Sequence, residues 1–155
     1  MLSQALLRGA AIFIALMVCA CDNPIAWSHI RGNVPPSDQF HALLVRDLEA
    51  EFRIAFKREV KVDHALLHDK PTQTGVAYPK FYVWVQVRDN TGTLIDEGAV
   101  RVAAVERKGF DVLNFLSKRE INADPAGVER VFPKTLADGI RARAQVRKEN
   151  SGRRD

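Results

Sequence analysis

Tyr78-Pro79-Lys80-Phe81-Tyr82-Val83-Trp84-Val85-Gln86-Val87-Arg88 is the stretch on which the fold reading turns. Successive side chains of an extended chain point to opposite faces. Phe81, Val83, Val85 and Val87 therefore share one face, and Tyr82, Trp84, Gln86 and Arg88 share the other. The first set is uniformly apolar and calls for a covering layer. The second mixes rings with polar groups, an aromatic-plus-charge face that suits a partner-binding surface, a pocket lining or a plain amphipathic face whose groups are satisfied within the fold.

Outward from this strand, Asp89-Asn90-Thr91-Gly92 predicts a hairpin turn with glycine at a positive-φ position. The return strand runs from Leu94 to Arg107, with Val100, Val102 and Ala104 on one face and Glu97 and Arg101 on the other. Lys108-Gly109 turns again, and Phe110 to Leu116 predicts a fourth strand. Upstream, Val60-Lys61-Val62-Asp63-His64 alternates and continues into Ala65-Leu66-Leu67. Asp69 to Gly75 has the composition of a loop.

Helical periodicity flanks the strands. Ser37 or Asp38 suits an N-cap after the prolines, and Phe40, Leu43, Leu44, Leu48, Phe52 and Ala55 recur at three- and four-residue spacing. Near the other end Asp124-Pro125 opens a short helical turn, and Pro133 sits where a last helix begins. Val128, Val131, Phe132, Leu136 and Ile140 keep helical spacing. The expectation is an α+β domain over residues 38–146: an N-terminal helix packed on a curved four-stranded antiparallel sheet, with a C-terminal helix. This element order is similar to that of the cystatin and NTF2-like classes. The similarity implies a sheet with one face on the helix and the other solvated or concave.

The chain has 155 residues, 46% of them hydrophobic and 27% charged, which fits one ordinary globular domain. A net charge of +4 is too mild to imply nucleic acid as a partner.

The first 22 residues are of another kind. Arg8 is the only charge before an apolar run from Gly9 to Val18, which ends at Val18-Cys19-Ala20-Cys21-Asp22. A short apolar segment between a charge and a small-residue cleavage site is the pattern of an export signal. It is shorter than the roughly 20 apolar residues that cross a bilayer. This resembles the signal peptide of bacterial lipoproteins, cut just before a cysteine that receives diacylglycerol. The small Ala20 before Cys21 favours that cysteine over Cys19, which follows Val18. The pattern departs from the commoner lipobox in having Cys19 and Val18 where a small residue and leucine are usual.

The resemblance implies a signal peptide over residues 1–20, a lipidated tether over 21–37, and membrane lipid as a partner through diacylglyceryl-Cys21. In lipoproteins of enterobacterial type, aspartate after the lipidated cysteine keeps the protein at the inner membrane, facing the periplasm, and Asp22 fits that rule. The mature chain then keeps one cysteine and forms no intramolecular disulfide. Trp27 and Ile30, unusual in a tether, suit either a membrane interface or packing onto the domain. Residues 147–155 read as a polar tail.

Candidates for chemistry are few. His64 and His68, flanked by Asp63 and Asp69, are metal-ligand types, but four residues of strand span about 13 Å. They read instead as two polar groups on a solvated strand face, and no metal or cofactor is expected. Ser28, Ser37, Ser117 and Ser151 lie in no nucleophile-elbow pattern, and P-loop, Rossmann and H-E-x-x-H patterns are absent from the sequence. No catalytic residue is assigned. Tyr82, Trp84, Glu97 and Arg101 are the expected partner- or ligand-binding residues. Two functions follow: a non-enzymatic envelope lipoprotein that binds a protein partner, or an NTF2-like pocket protein that binds or turns over a small molecule. The basic run Arg141 to Lys148 suits either anionic lipid head groups or a solvated helix end.

Overall fold

The computed structural model describes residues 24–74 and 76–146. The signal segment, Cys19, Cys21, Asp22 and the tail at 147–155 lie outside the described residues. Helices α1 (Pro24–Asn33) and α2 (Ser37–Phe56) precede four strands, β1 (Lys61–Leu66), β2 (Lys80–Arg88), β3 (Leu94–Val105) and β4 (Gly109–Ser117). Helix α3 (Lys118–Ala123), a 3-10 turn (Pro125–Gly127), α4 (Val128–Val131) and α5 (Lys134–Gln145) complete the order. The class is α+β with a C-terminal helix, as the sequence pattern predicts.

The strands form an antiparallel meander in the order β1-β2-β3-β4. Alternation sets the register, because a one-residue slip would expose every core side chain. Val62 faces Val87, Val83 faces Val100, and Phe81 faces Val102. The expected hairpin turn forms: Gly92 has φ +83°, and the Asp89 carboxylate accepts from the amides of Thr91 and Thr93 at 2.9 and 3.0 Å. Register shifts at Val87/Arg88 and at Arg101/Val102 leave residues unmatched across the ladder. At the second, Leu113 is the unmatched residue of β4 and is exposed.

Helix α2 seals one face of the sheet. Its buried residues Phe40, Leu44, Leu48 and Phe52 pack against Val62, Val83, Val85, Val87, Val100, Val102 and Phe110. Phe40, Phe81 and Phe110 meet edge to face, with centroids 4.9 to 6.0 Å apart. Each such side chain contributes about 1.5–3 kcal/mol by leaving water, before conformational entropy is subtracted.

The other face departs from the expectation of a solvated surface, for it is covered. Ile121, Val128, Phe132, Ala137, Ile140 and Ala144 from the C-terminal helices cover it and meet Tyr82, Trp84 and Ala99. The domain is thus a sheet between two helical layers. Ser117 starts the second layer with a capping box: its hydroxyl accepts from the Glu120 amide, and the Glu120 carboxylate accepts from the Ser117 amide at 2.8 Å. That hydrogen bonding holds the Glu120 carboxyl below the ordinary carboxylate range.

Residues 24–33 are also unlike a tether. They form helix α1, held to the β3–β4 turn where the Arg107 amide donates to the Asn33 carbonyl at 2.8 Å and its guanidinium donates to the Arg31 carbonyl at 3.2 Å. A cation is favourable at those terminal carbonyls. Val34 packs against the core, whereas Trp27 stays 48% exposed.

Candidate functional site

Each residue singled out from the sequence has a definite place. Tyr82, Trp84, Glu97 and Arg101 do share one face of the sheet, on neighbouring strands β2 and β3. The expectation that this face is open to a partner is corrected: Tyr82 is only 4% exposed and Trp84 3%. The Tyr82 hydroxyl shares a hydrogen bond with Thr72 Oγ1 at 2.7 Å, and its ring lies edge-on to Phe132. Arg143 of α5 lies 5.4 Å over the Trp84 ring, a cation–π arrangement.

The two charged members are bound inward as well. Glu97 accepts from Lys118 Nζ at 2.6 Å and from Gln86 Nε2 at 3.2 Å, and the same ammonium donates to the Val146 carbonyl at 2.9 Å. Arg101 donates from Nη1 to the Val131 carbonyl at 3.1 Å. Across the ladder, Arg101 Nε and Asn114 Oδ1 are buried without hydrogen-bond partners. All four side chains thus join the sheet to the C-terminal helices. A buried ring offers no surface to a second protein.

An open groove of about 290 Å³ lies at the first turn of α2, beside β1. Phe40, Leu66, Phe81, Val34, Pro35 and Pro71 make its apolar lining, while Ser37, His41 and Asp69 supply polar groups. Val34 and Pro35 at the α1–α2 junction, with Asp69 and Pro71 in the loop after β1, form its walls.

At its side stands a contact the sequence reading missed. Nδ1 of His41 on α2 lies 2.9 Å from Nε2 of His64 on β1, a hydrogen bond across elements 23 residues apart. The expectation of a solvated strand face for His64 is corrected by strand parity: it follows Val62 and precedes Leu66, both on the helix side. The alternation Val62, His64, Leu66 carried that signal. His68 lies beyond β1, where Nδ1 is 2.7 Å from the Lys70 carbonyl. Burial, then the charge of His41, pushes the His64 pKa down from the ordinary value, against a smaller upward pull from Asp63. The imidazole is neutral at pH 7 as a result.

The basic C-terminal run is partly spent inside the fold. Arg141 pairs with Asp138 at 2.7 Å and Glu129 at 3.1 Å, and Arg143 covers Trp84. Lys148 lies outside the described residues. Among the described residues, no helix is long and apolar enough to cross a membrane. Comparison with protein-family models, curated proteins and solved structures gives no significant match for the chain.

Proposed function

We propose that the chain is an envelope lipoprotein, fixed to the inner membrane through diacylglyceryl-Cys21, whose periplasm-facing domain works by holding a protein partner. The Ala20-Cys21-Asp22 junction after a short apolar run supports the anchor. The observation that carries the binding role is the groove beside β1: an apolar floor with Ser37, His41 and Asp69 at its polar positions, left uncovered by both helical layers. An open trough with few polar groups suits an inserted side chain or turn better than a substrate needing exclusion of water.

Helix α1 also changes how the partner is reached. Ten helical residues span about 15 Å, where an extended tether would span about 33 Å. The domain is accordingly held close to its anchor, so the partner is a membrane neighbour. The pocket-protein alternative required the second sheet face as its cavity, and the C-terminal helices fill that face.

Two measurements test the proposal separately. Mass spectrometry of the processed N-terminus is expected to find a lipidated Cys21, and an unmodified thiol overturns the anchor. A photo-crosslinking residue at position 37, 41 or 69, all on the groove, is expected in intact cells to capture one specific envelope protein, while position 143 captures none. Absence of capture at all three groove-side positions overturns the binding role.

A further inference from the structure

We propose that His41 and His64 form a two-imidazole site for a divalent transition cation of the copper, nickel or zinc class, with water in the remaining positions. The two rings come from different elements, α2 and β1, each fixed by the sealed face of the sheet. Their approach is therefore set by the core and not by a mobile loop. Nitrogen faces nitrogen at 2.9 Å, with ring centroids 5.2 Å apart and planes tilted by 31°.

Coordination geometry fits these separations. With metal–nitrogen bonds of about 2.05 Å at a tetrahedral angle, two ligating nitrogens stand about 3.3 Å apart and their ring centroids about 5.2 Å. The centroids already have that spacing, but the two nitrogens point head-on along the line between them, so each ring must turn by roughly 35° to widen the nitrogen gap by about 0.4 Å and aim both lone pairs at one ion. No net proton is released when both rings are neutral. The ring that donates the present hydrogen bond moves its proton to its other nitrogen, freeing both facing lone pairs.

Imidazole nitrogen prefers copper, nickel and zinc to magnesium or calcium, which take oxygen ligands. Among the described residues, no group of three or more His, Cys, Asp or Glu side chains converges to hold a metal. The site is consequently an open, exchangeable one. His41 also lines the groove, which places the open coordination positions beside the surface proposed for the partner. The inference rests on the histidine geometry and stands whether or not Cys21 is lipidated.

The test is a thermal-shift titration of the chelator-treated full chain at pH 7.5 with copper(II), zinc(II) and magnesium(II) chlorides. A ligand that binds only the folded state raises the melting temperature with concentration. Copper and zinc are expected to raise it, copper at the lower concentration, and magnesium is not. His41→Gln and His64→Gln should each weaken the response at least tenfold. His68→Gln should leave it unchanged, as should a Cys19→Ser/Cys21→Ser double variant. A parent protein that shows no shift overturns the proposal. So does a shift that survives His41→Gln, an exposed change that leaves folding intact, or one lost only with the cysteines.

Discussion

The two faces of the sheet are sealed by different means. One is covered by a single 20-residue helix, α2, whose stripe of Phe40, Leu44, Leu48 and Phe52 meets aliphatic strands. The other is covered by three short helices and a 3-10 turn, which bury Tyr82 and Trp84 and partly cover Glu97, Arg101 and Lys118. An apolar layer needs only area and shape. A layer carrying charged and aromatic groups must also meet their hydrogen-bonding needs, and here Lys118 and the Val131 carbonyl meet part of them, while Arg101 Nε stays without a partner. The difference teaches that a mixed strand face is not by itself an exposed one.

The largest expected effect separates a buried second face from an open one. Trp84→Ala should cost about 3–5 kcal/mol, comparable with Leu48→Ala on the helix-covered side at about 2–5 kcal/mol. Urea denaturation of both variants checks this. A Trp84→Ala cost within about 0.5 kcal/mol would restore the reading of an exposed face.

Next in size is Gly98→Ala at the β3–β4 contact. A Cβ there would sit 2.1 Å from the Leu116 carbonyl oxygen and 2.8 Å from the Phe115 ring. Backbone cannot yield as a flexible side chain does, so a loss of about 1–3 kcal/mol or more is expected in the same denaturation assay.

Ser117→Ala should cost about 0.5–2 kcal/mol by removing the cap of α3. Its signature is local: amide exchange should speed up in 118–123 and 134–145 before it does in α2. Equal acceleration in both layers would mean that the two covers unfold as one unit.

The smallest effect is a pH dependence at the sealed side's edge. The folded-state pKa of His64 lies below the ordinary 6.5, so below that pH the unfolded chain binds the extra proton and stability falls. His64→Gln should flatten the melting-temperature slope between pH 7 and pH 5. Glu120 and Asp124, whose carboxyls are held low by Ser117 and Arg130, lose their contribution only as pH falls through about 4, which keeps the windows apart. An unchanged slope would place the acid sensitivity elsewhere.

Legibility in the sequence followed the range of the interaction. The strands and α2 were readable because each carries its own period: Phe81 to Val87 at two, Phe40 to Phe52 at three to four. The Asp89–Gly92 turn was readable from local backbone chemistry. Helix α1 was not, since three prolines and a glycine in residues 24–36 outweighed its weak pattern, and its end is fixed by Arg107, 76 residues from Arg31. The candidate site fared worse. Tyr82, Trp84, Glu97 and Arg101 were rightly placed on one face, yet which layer covers that face depends on residues 121–144. His41 gave no signal because its partner lies 23 residues away.

By itself the sequence determined the strand pairing, the hairpin, the α2 stripe and the α+β class, all of which follow from side-chain alternation and local dihedral preference. The tertiary structure decided that the second sheet face is interior, that residues 24–33 are a helix against the β3–β4 turn, and that two distant histidines touch. The reason is physical: periodicity says which side of an element is apolar enough to bury. What buries it, and which polar groups are carried inside with it, is settled only when separate segments compete for the same surface.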